Sequence, residues 1–139
     1  MDLDELAIGA AVLAGPDAVL AADRGGTVRF WNPGAERIFG FPAAEAIGAS
    51  LDIIIPERLR PRHWDGWHRV AETGHSRYGS GDLLSVPALH ADGRTLSVEF
   101  SIHMVFGTDH EVQGIAATLR DVTDRYQELR ELRRRVANV

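Results

Sequence analysis

The side chain best placed to do chemistry in this sequence is His63. Leu59, His63, Trp67 and Val70 recur at spacings of four, four and three, which sets them on one stripe of a helix. A neutral imidazole on such an inward stripe is suited to ligate a metal centre through a ring nitrogen. Trp64 and Trp67 flank it as flat apolar surfaces, fit either to stack on a ring cofactor or simply to pack the core. Phe100 and Ile102 alternate inward on a long strand and would wall whatever space His63 faces. Other chemistry fares poorly. His63 and His68 are five apart, off the i, i+4 spacing that puts two ligands on one helical face, and no third ligand is near in sequence. Gly79-Ser80-Gly81 lacks the flanking glycines of a nucleophile elbow and leads into a strand, so Ser80 reads as a loop residue and the loop as unable to cradle phosphates at a helix start.

The elements that must position these residues are legible from periodicity and punctuation. Leu3 to Leu13 carries apolar residues at helical spacing and is stopped by Gly15-Pro16. Ala18 to Ala22 and Thr27 to Trp31 are β-prone runs joined by Asp23-Arg24-Gly25-Gly26, a hairpin. Asn32-Pro33 supplies an N-cap and a first-turn proline for a short helix that ends at Gly40. Dense punctuation from Pro42 to Pro56 predicts brief helical turns, and Pro56 to Gly74 predicts the longest helix of the middle. Strands follow over Asp82 to His90, Thr95 to Phe106 and Val112 to Leu119, and then a polar helix-forming tail from Asp124. This order describes an α+β domain with an antiparallel sheet covered on one face. It divides the chain into an N-terminal helix over 1–16, a core over 17–123 and a C-terminal amphipathic helix over 124–139.

The chain has 139 residues, a formal net charge of −5, 45% hydrophobic and 25% charged residues, the profile of one ordinary soluble domain. It has no cysteine, which excludes disulfides, thiolate metal sites, cysteine nucleophiles and cysteinyl-flavin photochemistry. No apolar stretch is long enough to span a bilayer, and the acidic start Met1-Asp2-Leu3-Asp4-Glu5 has the wrong sign for a signal peptide, so no membrane insertion and a cytoplasmic location are expected. All 15 cationic residues are arginine, and six of them fall in the last twenty residues. The rest of the chain is net acidic and would repel a phosphate backbone, which argues against nucleic-acid binding. In the tail Val122, Leu129 and Val136 repeat every seven residues, as do Arg125, Leu132 and Val139. That seam suggests a parallel two-helix contact and hence a homodimer, or else a lone amphipathic helix packed on its own domain.

Seven segments, in order, resemble a PAS domain, the sensory module of bacterial kinases, diguanylate cyclases and chemoreceptors: Ala18-Val19-Leu20-Ala21-Ala22-Asp23, Phe30-Trp31-Asn32-Pro33-Gly34-Ala35-Glu36, Phe39-Gly40-Phe41, Glu45-Ala46-Ile47-Gly48, Ile54-Ile55-Pro56-Glu57, Asp92-Gly93-Arg94 and Arg120-Asp121-Val122-Thr123. The likeness covers nearly the whole chain. It implies a PAS fold, a five-stranded antiparallel sheet whose concave face and covering helices enclose a pocket, with flanking N-terminal and output helices. It also implies signal sensing without enzyme activity, a kinase or cyclase as downstream partner, and a coupling role for Asp121 and Thr123 at the junction between the last strand and the tail helix. Either of those side chains can cap a helix N-terminus. Within the family, Arg60-Pro61-Arg62-His63 followed by Arg69 resembles the proximal-histidine helix of the haem-binding PAS domains of rhizobial oxygen sensors. That likeness implies haem b with His63 as axial ligand to its iron, and propionate partners in Arg69 and in Arg77, which stands where those sensors carry a histidine. Leu83 or Leu84 occupies the strand position of their oxygen-responsive arginine. Flavin, or no cofactor at all in a domain that only dimerises or scaffolds a partner, are the alternative expectations.

Overall fold

The computed structural model describes residues 3–75 and 83–138. Its centre is a five-stranded antiparallel sheet with strand order β2-β1-β5-β4-β3, formed by β1 (Ala18–Asp23), β2 (Val28–Trp31), β3 (Leu84–Leu89), β4 (Thr95–Phe106) and β5 (Val112–Asp121). The expected hairpin is present, and β1 then pairs with β5, so the first and last strands lie side by side at the middle of the sheet with Ala18 opposite Leu119. Just outside that pair, Arg120 Nε lies 3.4 Å from the Asp17 carboxylate. The first strand of the second half was expected over Asp82 to His90; β3 begins at Leu84, and Asp82 lies outside the described residues.

The helices follow the punctuation. Asn32 caps α2 (Pro33–Phe39) by accepting the Ala35 N–H at 2.9 Å, and Gly40 ends it in a left-handed conformation. Asn32 does more than cap. Its side chain also accepts the Val19 N–H at 2.7 Å and donates to the Leu13 and Asp17 carbonyls at 2.8 and 3.0 Å. With 2% of its surface exposed, it is a buried polar group with its hydrogen bonds satisfied, as burial demands. The segment from Pro42 to Pro56 forms brief turns, α3 (Ala43–Ala46) and a 3₁₀ turn over Leu51–Ile54. A second 3₁₀ turn, Glu57–Leu59, leads into α4 (Arg60–Thr73), so the long middle helix starts later than Pro56 and has Pro61 in its first turn.

The core lies between the inner face of the sheet and these helices. Leu20, Val28, Trp31, Phe39, Leu51, Ile54, Trp67, Leu96, Val98, Ile115 and Leu119 are buried there. The flanking helices differ. α1 (Glu5–Leu13), started by Asp4, buries no residue and leaves Leu6 84% exposed, because its apolar positions do not face the sheet. α5 (Thr123–Ala137) likewise has no buried residue, and Leu129, Leu132 and Val136 stand exposed along it, so the alternative of an amphipathic tail packed on its own domain does not describe this arrangement. No helix among the described residues is long and apolar enough to cross a membrane.

Candidate functional site

The site is built from the inner surface of β4 and β5, with α4 and the 3₁₀ turn before it. Antiparallel partners share a face, so the register places Leu84, Phe100, Leu119 and Ala18 in one inward row, and Ile102, Ala117 and Leu20 in the next. Small residues at Ala117 and Ala22 keep the middle of this face low. At the start of β4, Leu96 and Val98 are buried; further along, Phe100, Ile102 and Met104 are only partly covered although they point the same way. The inward placement expected of Phe100 and Ile102 is therefore what the strand shows, and their side chains keep accessible apolar surface.

His63 and Trp67 sit on α4 as the helical stripe requires. Trp67 is buried and its indole N–H donates to the Arg24 carbonyl at 2.8 Å, fastening α4 to the β1–β2 turn. The Trp64 indole N–H donates to Asp52 Oδ1 at 2.8 Å. The rim of the Trp64 ring occupies the space a Cβ on Gly26 would fill, 2.2 Å from that position, so the backbone of the turn and the indole meet only because residue 26 is glycine, with φ +84°. His63 packs against both indoles, its ring 4.6 Å from Trp64 edge-on and 5.8 Å from Trp67, while the indoles meet each other at 5.7 Å. Its Nδ1 is buried and has no hydrogen-bond partner. Burial pushes the imidazole below its ordinary pKa and the Asp52 carboxylate pulls the other way, with burial the larger effect, so the ring is neutral at pH 7.

His63 is thus a half-buried, neutral imidazole with one buried, unpartnered nitrogen, packed against two indoles. No group of three or more acidic or histidine residues that could hold a metal ion by themselves occurs among the described residues. The architecture is that of known proteins. The sequence profile described as PAS fold matches residues 13–127. The chain belongs to the PAS family. Over 128 residues it is 32% identical to the sensor protein FixL of Bradyrhizobium diazoefficiens, covering 89% of this chain and 25% of that protein. Over 78 residues it is 32% identical to the oxygen sensor protein DosP of Escherichia coli, covering 56% of this chain and 10% of that one. The chain thus spans a quarter or less of the length of these curated relatives. Among solved structures, a PAS domain from Colwellia psychrerythraea superposes with a TM-score of 0.74 at 21% identity, covering 87% of this chain and 99% of the other. An RNA-binding light-oxygen-voltage receptor superposes at 0.72 and 20% identity over 100% of this chain and 41% of that one.

Within this PAS domain the remaining expected site residues are distributed unevenly. Arg69 is exposed on α4, six residues past His63 and on another side of the helix. Arg77 and Ser80 lie outside the described residues. Leu84 opens β3 opposite Phe100, whereas Leu83 precedes the strand and is 65% exposed. At the far end, Asp121 Oδ1 accepts both the N–H of Thr123, at 3.0 Å, and its hydroxyl, at 2.5 Å. Val122 holds the N-cap position of α5, and Asp121, one residue earlier, accepts the first N–H of the helix. Thr123 Oγ1 instead accepts the Ser97 N–H at 3.0 Å, and the Ser97 carbonyl accepts the Val122 N–H at 2.8 Å. The junction is knitted to the same strand that carries Phe100 and Ile102. Sequence reasoning missed Asp52 and underrated Trp64. The signal available was a carboxylate within a capped turn, Ser50-Leu51-Asp52, but its pairing with an indole twelve residues later is a tertiary contact.

Proposed function

We propose that this PAS domain is a sensory module that holds a small ligand or cofactor against the inner face of its sheet and passes the change to α5, with haem b the group the site suits best. One observation carries this reading. The Nδ1 of a neutral His63 is buried without a partner, at a cost of about 1–3 kcal/mol, and a ligand atom that engages Nδ1 itself removes that cost. His63 would hold the iron, Trp67, Phe100 and Ile102 would wall the macrocycle, and Arg69 and Arg77 are the candidate partners of its carboxylates. Bound haem would supply an iron centre able to take a diatomic ligand or an electron.

The chain's own residues define the response. Leucine at positions 83 and 84 offers no hydrogen bond to a molecule bound on the inner face, so a response driven by an arginine there is not available to this domain. A ligand shifts the population of two sheet–helix arrangements only by its difference in affinity for them. Displacement of β4 by groups seated on Phe100 and Ile102 reaches Ser97, and through its two hydrogen bonds reaches Val122 and Thr123. The domain itself catalyses nothing in this reading, acts in the cytoplasm as a homodimer joined along the α5 seam, and hands its signal to a kinase or cyclase partner.

The test is the absorbance spectrum of protein expressed with haem precursor, with His63→Ala beside it. A Soret band that is present in the natural sequence and lost in the variant supports the reading. A colourless protein, or a band indifferent to the variant, overturns haem at His63, and flavin absorption would replace haem by a flavin. A second reading, a cofactor-free dimerisation scaffold, draws on the apolar residues left open on the flanking helices, Leu6 84%, Leu129 48% and Leu132 54% exposed. It predicts a colourless dimer.

A further inference from the structure

We propose that Asp52 is a positioning residue for His63, acting through Trp64: the hydrogen bond from the Trp64 indole to Asp52 fixes the aromatic edge that sets the orientation of the imidazole. A ligating histidine is ordinarily oriented by a hydrogen bond on its second ring nitrogen. In this domain neither ring nitrogen of His63 makes a hydrogen bond among the described residues, so packing against the indoles orients the ring. The packing surface is Trp64, whose ring meets the imidazole at 4.6 Å and 80°. Trp64 is itself pinned at two places, by Asp52 at 2.8 Å and by Gly26 against the ring rim.

Asp52 is in turn well held. Ser50 Oγ accepts its N–H at 3.1 Å at the start of the 3₁₀ turn. Arg60, in the first turn of α4, donates to the Asp52 carbonyl at 3.2 Å and to the Ile55 carbonyl at 3.0 Å, with its Nε 3.8 Å from the Asp52 carboxylate. The carboxylate thus stands at a fixed point between the turn and α4, and the indole is strung from it across the imidazole to the β1–β2 turn. The bond can be cut without removing a ring.

The inference rests on His63 being the ligand-facing group, but its test needs no ligand. Nuclear magnetic resonance of the unliganded protein reads the Trp64 indole N–H and the His63 ring signals in Asp52→Ala, Asp52→Asn and Trp64→Phe. Losing a bond worth about 1.4 kcal/mol speeds exchange of the indole proton by about tenfold in Asp52→Ala. In the same variant the proximity signal between the Trp64 and His63 rings weakens and the His63 signals shift, as they do in Trp64→Phe. Asparagine keeps an acceptor oxygen at the same place, so Asp52→Asn retains the slow indole exchange and the natural Trp64–His63 proximity signal, although the His63 shifts also register the lost carboxylate charge. An unchanged Trp64–His63 proximity signal in Asp52→Ala overturns the proposal, as does an equal loss of that signal in Asp52→Asn. A folded natural protein that never takes up haem would sink the haem reading while leaving this result standing, so the two failures are separable.

Discussion

Gly26→Ala tests whether α4 is seated on the β1–β2 turn as described. The new methyl carbon would sit 2.2 Å from two atoms of the Trp64 ring, with residue 26 at φ +84°. Left-handed backbone costs alanine about 1 kcal/mol. Overpacking against a ring that cannot retreat, because its far side is tied to Asp52, adds about 1–3 kcal/mol. The sum, about 2–4 kcal/mol, is a large share of the 5–15 kcal/mol typical of a domain, and it lowers a urea midpoint by about 1–2 M at a slope near 2 kcal/mol/M. The steric part is separable. In a Trp64→Phe background the shorter ring vacates the contested space, and Gly26→Ala should then cost only the backbone portion, leaving a coupling of about 1–3 kcal/mol between the two positions. Equal costs in both backgrounds would show that Trp64 does not rest on residue 26.

The other outcomes concern separate parts of the molecule. Because burial holds the His63 imidazole below its ordinary value of 6.5, the unfolded chain binds a proton first; stability is full above pH 6.5 and falls as pH drops from there toward the depressed folded value. Urea midpoints measured against pH should show that slope, and His63→Leu should remove it. Thr123→Val leaves the Ser97 N–H without its partner and should cost about 1–2 kcal/mol, with the Ser97 amide exchanging faster than the rest of β4 and the Val122 amide faster than in the natural sequence. Along α5, Arg135 pairs with Glu131 at 3.2 Å and Arg130 lies over Tyr126. Arg133 has no carboxylate three or four positions away, and in a parallel dimer Glu128 of one helix meets Arg133 of the other. Glu128→Arg should therefore weaken dimerisation by about tenfold in sedimentation equilibrium, and adding Arg133→Glu should restore it.

Much of the fold was legible because it rests on local signals. The alternation from Leu96 to Met104 specified a half-buried strand, and β4 runs over the expected Thr95–Phe106. Asn32-Pro33 and Gly40 bracketed α2 as read. The same local logic failed for α1, whose helical spacing said nothing of whether a surface exists for it to cover. At the site, helical spacing was enough to find His63 and Trp67 on one stripe. It could not find Asp52, which reaches Trp64 only once α4 has folded back over the capped turn. Nor could it foresee that Asp121 would accept the first N–H of α5 while Thr123 turned to Ser97, since either type can cap a helix and the register of β4 against β5 decides where each side chain reaches.

The pairing of β1 with β5 has a mechanical corollary. With Ala18 opposite Leu119 and the Asp17 carboxylate beside Arg120, the chain arrives and departs through adjacent rungs of one ladder. Such a unit can be spliced into a longer polypeptide with little spatial displacement. A twist between those two strands would emerge as torque between whatever sits upstream and whatever sits downstream.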